Sequence, residues 1–123
     1  MAPLDFLRFV YLDGFWEDWL DIGLSDESDL WDLETAIMLN PAGGQVVSGT
    51  GGVRKLRWAP RNWRQGKSGS LRLFYVYLQE HAVILMIQFL LKSAKENISH
   101  AERNALKRFI TEIKQSLESR RYH

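Results

Sequence analysis

"LRLFYVYLQEHAVILMIQFLL", residues 71–91, decides the fold. Leu71–Leu78 and Val83–Leu91 are dense in aliphatic and aromatic residues and have the length of strands. Residues 79–82 (QEHA) join them as a hairpin, without the Asn-Gly chemistry of the tightest turns. Side chains alternate along a strand, so Arg72, Phe74 and Val76 share one face, and Leu71, Leu73, Tyr75 and Tyr77 the other. A charge inside an otherwise apolar strand lies on a solvated or functional face, which singles out Arg72.

Upstream, Val53–Trp58 (VRKLRW) reads as another strand, followed by a basic loop at residues 59–70 (APRNWRQGKSGS). Residues 42–52 (AGGQVVSGTGG) contain five glycines and read as a loop or hinge. They lack the Gly-Lys-Ser/Thr ending of a phosphate loop and its strand–loop–helix frame. Asp5–Leu12 reads as a first strand. Phe15–Ile22 is a short helix with Phe15, Trp16, Trp19 and Leu20 at helical spacing, ended by Gly23. Ser25 is the expected N-cap of a second helix. Asp26, Glu27 and Asp29 fall in its first turn, where the helix dipole favours acids. Its apolar stripe is Leu30, Leu33, Ile37 and Met38, and Asn40-Pro41 stops it. Downstream, Ser99–Glu102 forms a capping box, and Leu106, Phe109, Ile110, Ile113 and Leu117 carry a last helix to about Ser119. The order β-α-α-β-β-β-α predicts an α+β fold. Two N-terminal helices and one C-terminal helix pack on a small, mainly antiparallel sheet of about four strands. We read residues 1–123 as one domain, with residues 118–123 a frayed tail.

The chain has 123 residues and no cysteine, which excludes disulfides, thiolate zinc sites and cysteine nucleophiles. The longest apolar stretch, Ala82–Leu91, is interrupted by Gln88 and too short to span a bilayer. With no secretory leader visible, a soluble, cytoplasmic protein is expected. The net charge of +1 hides a division. Residues 1–51 hold one cation, Arg8, and ten acids; residues 52–123 hold fifteen cations and five acids. Such asymmetry points to a polyanionic partner, or to halves that neutralise each other within the fold or between copies.

The densest cationic run is "VRKLRWAPRNWRQGK", residues 53–67, with six Arg or Lys, no acid and two tryptophans. Arginine's planar fork matches phosphate oxygens and always carries charge. Trp58, on the strand, reads as core; Trp63 is the better candidate for stacking on a base. The histidines, His81, His100 and His123, fall in three separate places and form no acid–base pair. No His, Asp and Glu group has metal-ligand spacing. The acid pairs Glu17-Asp18 and Asp26-Glu27 read as exposed helix positions that serve solubility and capping.

Four stretches, in order, resemble the RelE/ParE superfamily of toxin–antitoxin toxins, most closely its HigB-type branch. They are Gly49–Arg57 (GTGGVRKLR), Gly66–Tyr77 (GKSGSLRLFYVY), the apolar strand running into Lys92-Ser-Ala-Lys-Glu-Asn, and Ser99–Glu102 at the start of the last helix. The resemblance spans about residues 5–117. It implies a RelE-like toxin that enters the ribosomal A site and cuts mRNA, without metal or cofactor. A cognate antitoxin would hold it inactive, in a heterotetramer, by covering the basic face or displacing the last helix. Other branches poison DNA gyrase, so a non-cleaving protein on the same fold is the second expectation.

RNA can be cut by attack of a 2′-hydroxyl on the adjacent phosphate. The hydroxyl loses a proton, the phosphorane charge is stabilised, and the leaving 5′-oxygen gains a proton. The resemblance assigns this work to Arg72, Lys55, Arg57 and Lys92; of Arg54, Lys55 and Arg57, only Lys55 has a proton that could move near neutral pH, and only if neighbouring cations depress its pKa. Arg54, Arg61, Trp63, Arg64 and Lys67 are the expected RNA-binding residues, whose phosphate contacts make binding salt-dependent. The family often has a tyrosine where this chain reads Phe89-Leu90-Leu91. Phe89 can stack but cannot move a proton; Tyr75 or Tyr77 would have to replace it.

Overall fold

A computed structural model describes residues 7–24, 27–61, 71–91 and 99–121. The elements are β1 (Arg8–Tyr11), α1 (Asp13–Ile22), α2 (Glu27–Leu39), β2 (Gln45–Val46), β3 (Val53–Trp58), β4 (Leu71–Leu78), β5 (Val83–Leu91) and α3 (His100–Arg121), with a 3-10 turn at Gln79–His81. The sheet has five strands in the order β1-β5-β4-β3-β2. It is mixed: β1 runs parallel to β5, and the other pairings are antiparallel. The fold is therefore α+β, with one more strand than the sequence reading. The extra strand, β2, lies inside the glycine-rich stretch that was expected to be loop. No described helix is long and apolar enough to cross a membrane.

The sheet is covered on both faces. On one, α1 and α2 bury Phe15, Trp19, Leu33 and Ile37 against Leu71, Leu73, Tyr75, Ile84, Met86 and Phe89. On the other, α3 sets Ile110 against Val53, Phe74, Val76, Leu85 and Ile87. The alternation read for β4 thus holds: odd residues face α1 and α2, even residues face α3. An extra residue in β5 opposite Phe74 and Tyr75 makes a bulge, so Ile87 and Gln88 both stand on the α3 side.

The helices begin and end for local reasons. Gly23 closes α1 in the left-handed region (φ 96°), its N–H donating to Leu20 O. The start of α1 differs from expectation, because the helix begins at Asp13 rather than Phe15. Only the Phe15 and Trp19 side of its apolar set is buried; Leu20 is 67% exposed. The Ser25 cap expected for α2 lies outside the described residues. The capping box of α3 forms as read: Ser99 N–H donates to Glu102 Oε1 (3.0 Å), and Glu102 N–H to Ser99 Oγ (3.2 Å). The helix runs to Arg121, past Ser119.

The turn between β2 and β3 sets where α3 lies. Thr50, fully buried, donates to Val47 O (2.6 Å) and accepts from Val53 N–H (3.0 Å). Gly51 has φ 78°, and a Cβ there would sit 3.3 Å from Lys107 Cγ on α3. Glycine at this position lets α3 cross close over the start of β3. Arg103 Nη1 then donates to Ser48 O (3.1 Å).

Asp18 corrects the reading of its acid pair as exposed. The parallel partner β1 ends at Tyr11, so β5 continues without it beyond Met86. Asp18 Oδ2 takes the place of a strand carbonyl and accepts from Phe89 N–H (3.0 Å). Burial raises the Asp18 pKa above its usual value; the Phe89 bond opposes this, and Asp21 and Glu17 add to it. A folded-state pKa above the unfolded one gives stability that is present below the unfolded pKa and lost as pH rises through the folded one. Asp18→Asn, which keeps an acceptor and removes the charge, is expected to raise the melting temperature slightly at pH 7 but not below about pH 4. Asp18→Ala orphans the Phe89 N–H and is expected to cost about 1–3 kcal/mol. Thermal unfolding across pH checks both; an Asn variant less stable than wild type at pH 7 contradicts the account.

Candidate nucleic-acid interface

Strand register decides which cations meet. Arg57 lies directly opposite Arg72 across β3 and β4, and Lys55 lies opposite Phe74. Val53, Lys55 and Arg57 share the face of Phe74 and Arg72, the face α3 packs on. Directly opposed residues have Cβ atoms about 5 Å apart, and diagonal neighbours such as Lys55 and Arg72 about 7–8 Å. α3 rests on the sheet end marked by Val53, Val76, Leu78 and Val83, tied to the turns before β3 and after β4. Lys55, opposite Phe74, borders the residues packed under α3, and Arg57 and Arg72 form the next pair along the same face. They are graded in depth: Arg72 is 7% exposed, Lys55 is half-buried and Arg57 is exposed. Direct opposition across β3 and β4 brings the Arg57 and Arg72 side chains to neighbouring positions. The arrangement suits a phosphate gripped by two guanidinium forks, with a primary amine beside it.

Two other predicted RNA-binding residues go elsewhere. Arg54 is on the opposite side of β3, across from Tyr75, and Nη1 donates to the carbonyls of Ala42 (2.9 Å) and Gly44 (2.8 Å). The Tyr75 hydroxyl completes this lock by donating to Pro41 O (2.8 Å) and accepting from Gly44 N–H (3.0 Å). Arg54 thus holds the segment between α2 and β2, because odd and even positions of β3 cannot face the same way. Arg61, 83% exposed, pairs with Asp32 of α2 (Nε–Oδ2 3.0 Å), an exposed pair of small energetic weight. Trp63, Arg64, Lys67 and Lys92 lie outside the described residues.

The aromatic candidates are corrected too. Phe89, 1% exposed, packs against Phe15, Trp19 and Trp58 with ring centroids 5.0, 5.7 and 6.1 Å away. It has no surface on which a base can stack. Trp58 belongs to the same cluster, stacked on Trp19 (18° between planes), as its strand position implied. Tyr75 is fully buried, and burial raises its hydroxyl pKa above the usual value, so it is not a replacement proton carrier. Tyr77 packs at the margin of the same apolar cluster, on the face away from the cations.

No family model matches the sequence. Among solved structures, the chain is similar to an arginine-to-alanine double mutant of the E. coli toxin RelE in the free state. The TM-score is 0.53 at 17% identity, over 77% of this chain and 88% of that one. Three helices on a five-stranded mixed sheet, in this order, make the fold RelE-like.

Proposed function

We propose that this chain is the toxin of a toxin–antitoxin pair, an endoribonuclease that cleaves mRNA on the ribosome. One observation carries the reading: strand register gathers Lys55, Arg57 and Arg72 on one face of the sheet, in a RelE-like fold. Arg72, held in a strand between two buried leucines, and Arg57 across from it bind the non-bridging oxygens of the scissile phosphate. They stabilise the charge that grows as the 2′-hydroxyl, its proton passing to a solvent water, attacks phosphorus and the bond to the 5′-oxygen breaks. Lys55, whose ammonium group stands beside them, donates a hydrogen bond to the leaving 5′-oxygen as it takes up its proton. No step requires a metal. The ribosome presents the mRNA in the cytoplasm, and the antitoxin silences the toxin by occupying the cationic face or displacing α3.

A non-cleaving reading, gyrase poison or degenerate toxin, draws on one observation: Phe89 and Tyr75, the aromatic candidates for stacking and proton transfer, are committed to the core. Purified protein added to a cell-free translation reaction, with mRNA ends mapped by primer extension, separates the two. Codon-phased cuts that require ribosomes are the expected result. Intact mRNA together with gyrase-dependent DNA breakage would replace the nuclease with the second reading.

A further inference from the structure

At the opposite end of the same sheet face, the turn after β4 meets the last turns of α3. Glu80 and His81 come from the turn and Glu118 from the helix. One ligand-capable atom of each lies within 4.8 Å of the others. They line a cavity of about 270 Å³, shared with Tyr77 and Lys114. The cavity is distinct from the cationic cluster, since Leu78 and Arg72 are six residues apart on β4, or about 20 Å.

We infer that Glu80, His81 and Glu118 form a binding site for a divalent transition-metal ion of the zinc class. One donor pair has the spacing of such a centre. Two donors held about 2.1 Å from a tetrahedral zinc ion stand about 3.4 Å apart, and His81 Nε2 is 3.4 Å from Glu118 Oε1. The His81 side chain is only 10% exposed, so the imidazole is already placed. The turn that carries it is closed by Ala82 in the left-handed region (φ 53°), which fixes the direction of the chain. One imidazole with two carboxylates suits zinc and its neighbours, whereas magnesium and calcium take all-oxygen shells. Three protein ligands leave a fourth position open to the cavity for water. Lys114, in the cavity wall, opposes a second positive charge and moderates the affinity.

The ligands come from two elements far apart in the chain, so metal binding clamps the end of α3 to the hairpin. Affinity for the ion becomes resistance of α3 to displacement, because ligands scattered in the unfolded chain do not form the site. An ion at this position regulates how readily a partner lifts α3, and it does so whether or not the chain cleaves mRNA.

Isothermal titration of the full chain with zinc chloride tests this, alongside thermal unfolding with and without the ion. A single saturable event is expected, with a rise in melting temperature and no competition from excess magnesium. Glu118→Gln, at a partly exposed helix position, and His81→Ala should each weaken binding at least about tenfold and abolish the thermal shift. The double variant His100→Ala, His123→Ala should bind as wild type does. Absence of saturable binding overturns the site. So does binding that survives both ligand variants, or binding lost with His100 and His123.

Discussion

Arg72→Ala should reduce mRNA cleavage by about 10²–10³-fold, the usual loss when one fixed donor to a developing oxyanion is removed. Three features of the position concentrate the effect. The side chain is 7% exposed, so its charge acts where water screens little. Leu71 and Leu73, both fully buried, fix the backbone on either side. Arg57 stands directly opposite, so the phosphate meets a pair of forks rather than a single charge. Arg72→Lys keeps the charge but not the planar fork and should recover only part of the rate. Arg57→Ala, at an exposed position, should lose less than Arg72→Ala. End mapping and initial rates in the cell-free reaction check the series, with circular dichroism confirming that each variant is folded. Undiminished cuts in folded Arg72→Ala would remove the residue from the mechanism.

Phe89→Ala should destabilise the fold by about 3–5 kcal/mol, as expected for deleting a buried aromatic ring. The ring lies at the centre of the layer between α1 and the sheet, touching Phe15, Trp19 and Trp58. These partners are themselves packed ring on ring, so the space left behind does not collapse easily. Urea unfolding measures the loss, and Phe89→Leu should lose much less. At a temperature where both variants are folded, cleavage should match wild type, because no face of Phe89 reaches the cationic cluster. A stable variant with impaired cleavage would reverse that assignment and make Phe89 a contact to RNA.

Much of the architecture is legible in the chain because it is written in local periodicity. The bounds of β3, β4 and β5 match the runs read as strands, and the capping box of α3 follows from Ser99 and Glu102 three positions apart in one turn. β2 escaped that reading: it is two residues preceded by a pair of glycines, and only pairing with β3 makes it a strand. β1 likewise owes its place to a parallel partner 75 positions away in the chain, Arg8 lying beside Val83.

The candidate site divides the same way. The sequence alone determined that cations crowd residues 53–67 and that Arg72 interrupts an apolar strand, since composition and alternation are properties of neighbours in the chain. It could not sort those cations. Tertiary structure turns Arg54 to the Ala42 and Gly44 carbonyls, gives Arg61 to Asp32 and leaves Lys55 and Arg57 beside Arg72. It takes Asp18 out of a solvated acid pair to serve Phe89, and it brings Glu118 to Glu80 and His81, which no spacing along the chain foretells. The physical reason is common to all of these. A side chain's direction follows from its own strand or helix, but the group it meets comes from whatever the packing of distant elements sets opposite.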